Sequence, residues 1–169
     1  MKRKMTGSLA VVFALLSPLE ATTVRRLSLD DLVSKSRSIV IGHVLESRTF
    51  WTDDHKLIMT AYTVQVQENI KGNTPQIIVI TTIGGQVGNT VLHVAGMPMF
   101  ENGESAVLFL EQSGAYTTVV GLNQGKFPVS NGEVSNTVSG LSFPDGLATK
   151  PMKMSLDEFK RQIQLRLGR

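Results

Sequence analysis

The sequence predicts a mainly β fold, a barrel flanked by N- and C-terminal helices. Three observations carry that expectation. Apolar and polar residues alternate along Ile58 to Ile70, the period of a strand with one buried and one wet face. Short apolar runs recur through the centre, bounded by Gly, Asn and Pro. Apolar residues at helical spacing mark the two ends, in Leu29–Val33 and Leu156–Leu167.

In chain order, residues 1–21 come first. Lys2, Arg3 and Lys4 form a basic head, Leu9 to Leu16 (LAVVFALL) an apolar run, and Leu19-Glu20-Ala21 ends on a small residue before Thr22. That order of charge, grease and small residue is a secretory signal peptide. The apolar run falls far short of the roughly 20 residues that cross a bilayer. The expectation is cleavage and export, to the periplasm or the extracellular space, with no stable membrane anchor afterwards. The chain has no cysteine, which excludes disulfides and a lipid-bearing cysteine. Residues 22–169 are read as one β-barrel domain. A domain near 150 residues buries about 68–70% of its unfolded surface and can stand without disulfides.

Charge narrows the partner classes. The signal segment holds three of the 17 Lys and Arg and one of the 14 Asp and Glu, which leaves 14 against 13. A nucleic-acid binder needs a clustered basic face. Arg25-Arg26 and the terminal run of Lys160, Arg161, Arg166 and Arg169 read instead as solvated surface. No nucleic-acid partner is expected.

Leu27 to Val33 reads as a short helix. Ser28 caps it, and Asp30 and Asp31 sit in its first turn, where negative charge is favoured. Ser38 to Leu45 is a strand apolar on both sides, and Gly42 marks a bend or bulge of the kind that curls a sheet. On the next strand Ile58, Tyr62, Val64, Val66 and Ile70 point one way, and Thr63, Gln65, Gln67 and Asn69 the other. Lys71 to Pro75 is a turn by composition. Gln76 to Ile83 is a third strand with both faces largely apolar. Gly84 to Gly103 is a glycine-rich excursion with a short strand at Thr90 to Val94. Ser105 to Glu111 is a buried strand, and Ser113-Gly114 turns the chain into Tyr116 to Leu122. Asn131-Gly132 closes a type I′ hairpin, because both residues tolerate positive φ. Ser139 to Pro151 is a loop. Ser155 and Glu158 form a capping box that opens a helix at 155–167, with Leu156, Phe159, Ile163 and Leu167 on one face.

Ser38 to Val44, Thr60 to Gly72 and Gln76 to Thr82, taken in order, resemble the netrin-type or tissue-inhibitor-of-metalloprotease-like variant of the OB barrel. The resemblance implies an OB/netrin-like β-barrel. That family's inhibitors use disulfides and an N-terminal cysteine that chelates the protease zinc. A cysteine-free chain cannot use that mechanism. Leu27 to Val33, Gly96-Met97-Pro98 with Phe100 and Gly103-Glu104, and Val119 to Val129 (VVGLNQGKFPV) resemble uncharacterised exported bacterial domains, some found beside matrixin-type metalloproteases. That resemblance implies fold and export, with an exported protease as one candidate partner.

Candidate chemistry is sparse. His43, His55 and His93 lack zinc-motif spacing. His43 and His93 read as structural residues of strands. Asp53, Asp54 and His55 combine oxygen and imidazole groups, but turns select Asp anyway, so no metal is expected there. Gly103-Glu104-Ser105-Ala106-Val107 fails the G-x-S-x-G elbow at its last position. Glu101 and Glu104 read as surface acids. The glycine-rich segment has neither phosphate-cradling pattern. No cofactor and no enzyme activity are expected.

What remains is Phe50 and Trp51, between the first two strands, followed by Asp53, Asp54 and His55. In OB barrels this loop is a recognition element. The aromatics read either as a partner-binding surface or as a plug folded onto the barrel. The leading expectation is an exported, non-catalytic binding or accessory module. The alternative is an inhibitor or regulator of an exported protease, with a hydrolase behind it.

Overall fold

Ser28 decides where the first helix begins. In the computed structural model, which describes residues 22–144, 146 and 150–168, the Asp31 amide donates to the Ser28 hydroxyl and the Ser28 amide donates to the Asp31 carboxylate. This reciprocal pair is a full capping box. It holds the Asp31 carboxyl below the usual carboxylate range, the Ser28 amide contributing most. The expected signal peptide at 1–21 lies outside the described residues.

The chain runs β1 (Thr22–Thr23), α1 (Leu29–Lys35), β2 (Ser38–Trp51), β3 (Ile58–Lys71), β4 (Ile77–Ile83), β5 (Gly85–Val87), β6 (Thr90–Leu92), β7 (Ser105–Ser113), β8 (Tyr116–Val119), β9 (Lys126–Ser130), β10 (Glu133–Ser135), β11 (Leu141–Ser142), β12 (Lys153–Ser155) and α2 (Leu156–Arg166). The fold is mainly β. Eight strands form one antiparallel sheet in the order β12-β10-β9-β7-β2-β3-β4, with β8 on β7. Asn131 (φ 51°) and Gly132 (φ 75°) close the β9–β10 hairpin, as their sequence predicts.

The expected barrel stays open. β4 and β8 approach within 8 Å, Cα to Cα, yet no ladder of hydrogen bonds joins them among the described residues. β8 is four residues long before the chain turns at Gly121, φ 65°. Ile80 of β4 and Val119 of β8 belong to the same buried cluster.

Two cores result, because β2 and β7 are buried on both faces. Ile39, Ile41, Val107 and Phe109 meet Leu32 of α1 and Phe159 and Ile163 of α2. Val40, Val44, Leu108 and Leu110 turn the other way, into the curl of the sheet with Tyr62, Val64 and Ile80. Gly42 sits where β2 and β3 press closest. A Cβ there would lie 2.5 Å from Val64 Cγ1, and the register shifts beside it.

Three expectations need correcting. Ile70 does not share a core with Tyr62, Val64 and Val66; it lies under the helices. The β2–β3 register shifts between Ile39/Val40 and between Ile41/Gly42. Each shift adds a residue to β3, which resets the faces of its last turn of chain. The same shifts aim Glu68 at Lys160 of α2, 2.7 Å away. They also bring Lys71 Nζ to the Val33 and Ser36 carbonyls at the end of α1, 2.6 and 2.5 Å away. The outer face of β4 is not covered either: Ile77 and Val79 are 47% and 50% exposed. β4 ends the sheet, and among the described residues no helix lies over it. Finally, Ser155 caps α2 by accepting from the Glu158 amide, but the Glu158 carboxylate turns forward to Arg161 and Gln162. That capping box is half formed.

Candidate functional site

β2 and β3 are each 14 residues long and pair from Ile39–Lys71 to Trp51–Ile58. At about 3.3 Å per residue the arm is roughly 40 Å long. Its base is core on β2, and β3 stays buried along the arm as far as Ile58. Beyond Val44 the side chains of β2 emerge, and Leu45 to Arg48 are exposed. The tip carries all five expected site residues together. Phe50 and Trp51 are half-buried, and Asp53, Asp54 and His55 are exposed.

Local bonds build the tip. The Thr52 hydroxyl donates to the Asp54 carboxylate at 2.6 Å, and the Lys56 amide donates to the same oxygen at 3.2 Å. The Thr52 amide donates to the Leu57 carbonyl at 2.9 Å. The Thr52 hydroxyl, contributing most, and the Lys56 amide hold the Asp54 carboxyl below its ordinary range. Asp54 is therefore a staple of the turn rather than an outward anchor. His55 takes φ 54°. Its ring stacks on Trp51, centroids 6.3 Å apart and planes 22° apart. Arg48 lies 5.1 Å from the Phe50 ring centroid.

Neither core contains Phe50 or Trp51. The aromatic that fills the curl is Phe100, edge-on to Tyr62 with centroids 4.8 Å apart. Phe100 sits at the end of the glycine-rich excursion. Sequence reasoning gave it no role, since a lone Phe in a Gly/Pro loop carries no periodicity.

The start of the excursion crosses the arm beside its tip, at the Thr49–Thr60 pair next to Phe50, and the Gly84 amide donates to the Ile58 carbonyl at 2.8 Å. The Thr49 hydroxyl donates to the Gln86 carbonyl and the Thr60 hydroxyl to the Gly84 carbonyl, both at 2.6 Å. Gly85 (φ 131°) lies in the crossing, where a Cβ would come 2.6 Å from both Thr49 and Thr60. The far end is tied down by Lys126. Its ammonium lies 2.7 Å from the Glu104 carboxylate, donates to the Met99 carbonyl, and sits 4.5 Å above the Phe100 ring. The Glu104 and Lys126 side chains are 17% and 9% exposed. Glu104 is thus an internal ion-pair partner, not the surface acid its glycine-turn context implies. Only the partner strand β9, 22 residues on, supplies the charge it meets.

Other chemistry-bearing groups stay apart. Ser105 opens β7, as expected, and its Oγ lies 3.0 Å from His43 Nδ1 across the strand pair. Among the described residues no carboxylate bonds His43, so the third member of a triad is missing. Among the described residues, no group of three His, Cys, Asp or Glu is placed to hold a metal ion. No helix of the described residues is long and apolar enough to cross a membrane. Comparison with protein-family models, curated proteins and solved structures finds no match to this chain.

Proposed function

We propose that this chain is an exported, non-catalytic binding or accessory module whose partner meets the β2–β3 tip. One observation carries the reading: Phe50, Trp51 and His55 gather at the end of a long arm, outside both cores, on a turn pinned by Asp54. Aromatics of this kind supply much of the energy of protein interfaces. A turn already fixed by its own hydrogen bonds loses little freedom on binding.

The strand order supports an OB-type framework. β2, β3 and β4 run in sequence, β7 returns to β2, and β8 lies between β7 and the neighbourhood of β4. This is the strand order of a five-stranded OB barrel, and Thr52 to Leu57 is then its first recognition loop. Export rests on the basic head, apolar run and small residue of 1–21. Protein from the exported fraction should begin at or near Thr22. An exported protein such as a protease is the partner class that the resemblance favours.

The test is capture on the immobilised chain, first of a purified matrixin-type protease, then of an exported-protein extract. A protein held by the native chain and lost from Trp51→Ala, at unchanged melting temperature, supports the tip. Retention indifferent to both Trp51→Ala and Phe50→Ala removes it. Inhibition of the protease's turnover would move the function to the inhibitor reading.

A further inference from the structure

A second feature lies beside the arm. Between the β5–β6 hairpin and the end of the curled sheet lies a cavity of about 270 Å³. Thr60, Tyr62 and Thr82 form its floor, the hairpin its roof, and Met97 and Met99 one wall. We propose that this cavity binds a small neutral molecule with an apolar body and a single hydroxyl or carbonyl group.

The polar half of the argument is the pair Tyr62 and Thr82. Both line the cavity, and they are only 5% and 3% exposed. Among the described residues neither hydroxyl has a hydrogen-bond partner, whereas the Thr60 hydroxyl beside them is used by Gly84. Their oxygens are nevertheless not sealed in protein, since no fully enclosed polar atom lacks a partner among the described residues. They open onto the cavity. A hydroxyl that has no partner in the protein is available to a ligand group as both donor and acceptor. Cross-strand register puts Thr82 opposite Thr60 and Ile80 opposite Tyr62. The two residues are therefore diagonal neighbours on one face of the strand pair.

The apolar half comes from the walls and rim. Ile83, Leu92, Val94 and the two methionines surround the floor, and methionine adapts to ligands of varied outline. Val91 and Met99 are 64% and 68% exposed at the edge, which presents an apolar entrance. Among the described residues no Lys, Arg, Asp or Glu lines the cavity, and His93 is the one basic side chain in its walls. A cationic ligand finds no counter-ion among these side chains and an anionic one meets only the His93 imidazole, which favours a neutral ligand. The volume lies below the roughly 300–1,000 Å³ of drug-sized pockets, which selects a small one.

Methyl-labelled methionine makes the site visible by NMR, because Met97 and Met99 report from the wall. The full chain is titrated with 4-propylphenol and, separately, with propylbenzene, which has the same body without the hydroxyl. The expected result is saturable shifts at Met97 and Met99, with tighter binding of the phenol. Thr82→Val and Tyr62→Phe should each weaken the phenol roughly five- to tenfold, the worth of one neutral hydrogen bond, and leave propylbenzene unchanged. Both variants remove an unpartnered hydroxyl and should keep or raise the melting temperature. If one fails to fold, the other decides. Absence of a saturable shift with 4-propylphenol overturns the proposal. So does equal affinity for the two probes in the native chain, or a phenol affinity that neither variant changes.

Discussion

At the base of the β2–β3 arm, Val40, Val44 and Val64 are at most 1% exposed. At its tip, Leu57 is 41% exposed and Asp53 to Lys56 face water. The same two strands thus live under two regimes. The base is held by contacts from distant chain: α1, α2, β7 and the Phe100 end of the excursion. The tip is held by bonds between residues no more than five apart, Thr52 to Asp54 and Thr52 to Leu57. Change at the base should register as stability. Change at the tip should register as recognition. A module that presents a rigid tip on a deeply buried stem keeps the two separable.

The strongest way to break that contrast is Val64→Asp. Val64 is fully buried and stands against Gly42. A carboxylate there has no partner, and its burial costs several kcal/mol, comparable to the whole stability of a domain. The expected outcome is an unfolded chain by circular dichroism. A folded Val64→Asp with a native melting temperature would mean the base is not the core it is described as.

Gly42→Ala should come next. The added Cβ meets Val64 Cγ1 at 2.5 Å, inside a strand pair that cannot widen without parting β2 from β3. Overpacking of this kind costs about 1–3 kcal/mol. Chemical denaturation should show that loss with an unchanged slope. Pairing the variant with Val64→Ala sharpens the point: the smaller neighbour should restore part of the stability that Gly42→Ala alone removes.

At the tip the expected signs reverse. Trp51→Ala should change stability by less than about 1 kcal/mol, since Trp51 belongs to neither core. It should cost about 2 kcal/mol or more in partner binding. Thermal melting and a binding isotherm on the same preparation separate the two. A large loss of melting temperature with intact binding would make Trp51 part of the scaffold.

The smallest effect concerns the helix that covers the base. Two hydrogen bonds from Arg161, with a third from Gln162, lower the Glu158 carboxyl from 4.5 to about 2. A lowered carboxyl contributes stability that is present above about pH 4.5 and fades as pH falls towards 2. The group is exposed, so the effect should be slight and should shrink in salt. Glu158→Gln should lower the acid-side sensitivity of α2, read as helical signal between pH 5 and 2, and leave the base of the arm untouched. (The pH range is about that of the carboxylate titration.)

Much of the fold was legible locally. The Ser28 and Ser155 caps, the Asn131-Gly132 turn and the alternation of Tyr62, Val64 and Val66 each rest on interactions within a few residues. The five tip residues were legible as a group for the same reason, since they are neighbours in the chain. Phe100, Lys126 and Glu104 were not. Their roles come from meeting each other across separate strands, and no spacing announces it. The Tyr62–Thr82 pair was hidden similarly: each lies within an ordinary strand, and only β3–β4 register puts the two residues on one face.

By itself, then, the sequence determined most of the main strands, turns and helix caps, and that β2 and β7 would be apolar on both sides. But it ended β2 at Leu45 and put Phe50 and Trp51 in a loop, whereas the strand runs on to Trp51. Periodicity and capping are properties of neighbouring residues, so a linear reading reaches them. The tertiary structure decided which core each face enters, that Ile70 crosses to the helices at a bulge, that β4 keeps an uncovered face, and that the seam beside β8 stays without hydrogen bonds. Those outcomes depend on what lies opposite a residue after the chain has folded back. A period of two says that faces alternate; only the partner strand says which face is inside.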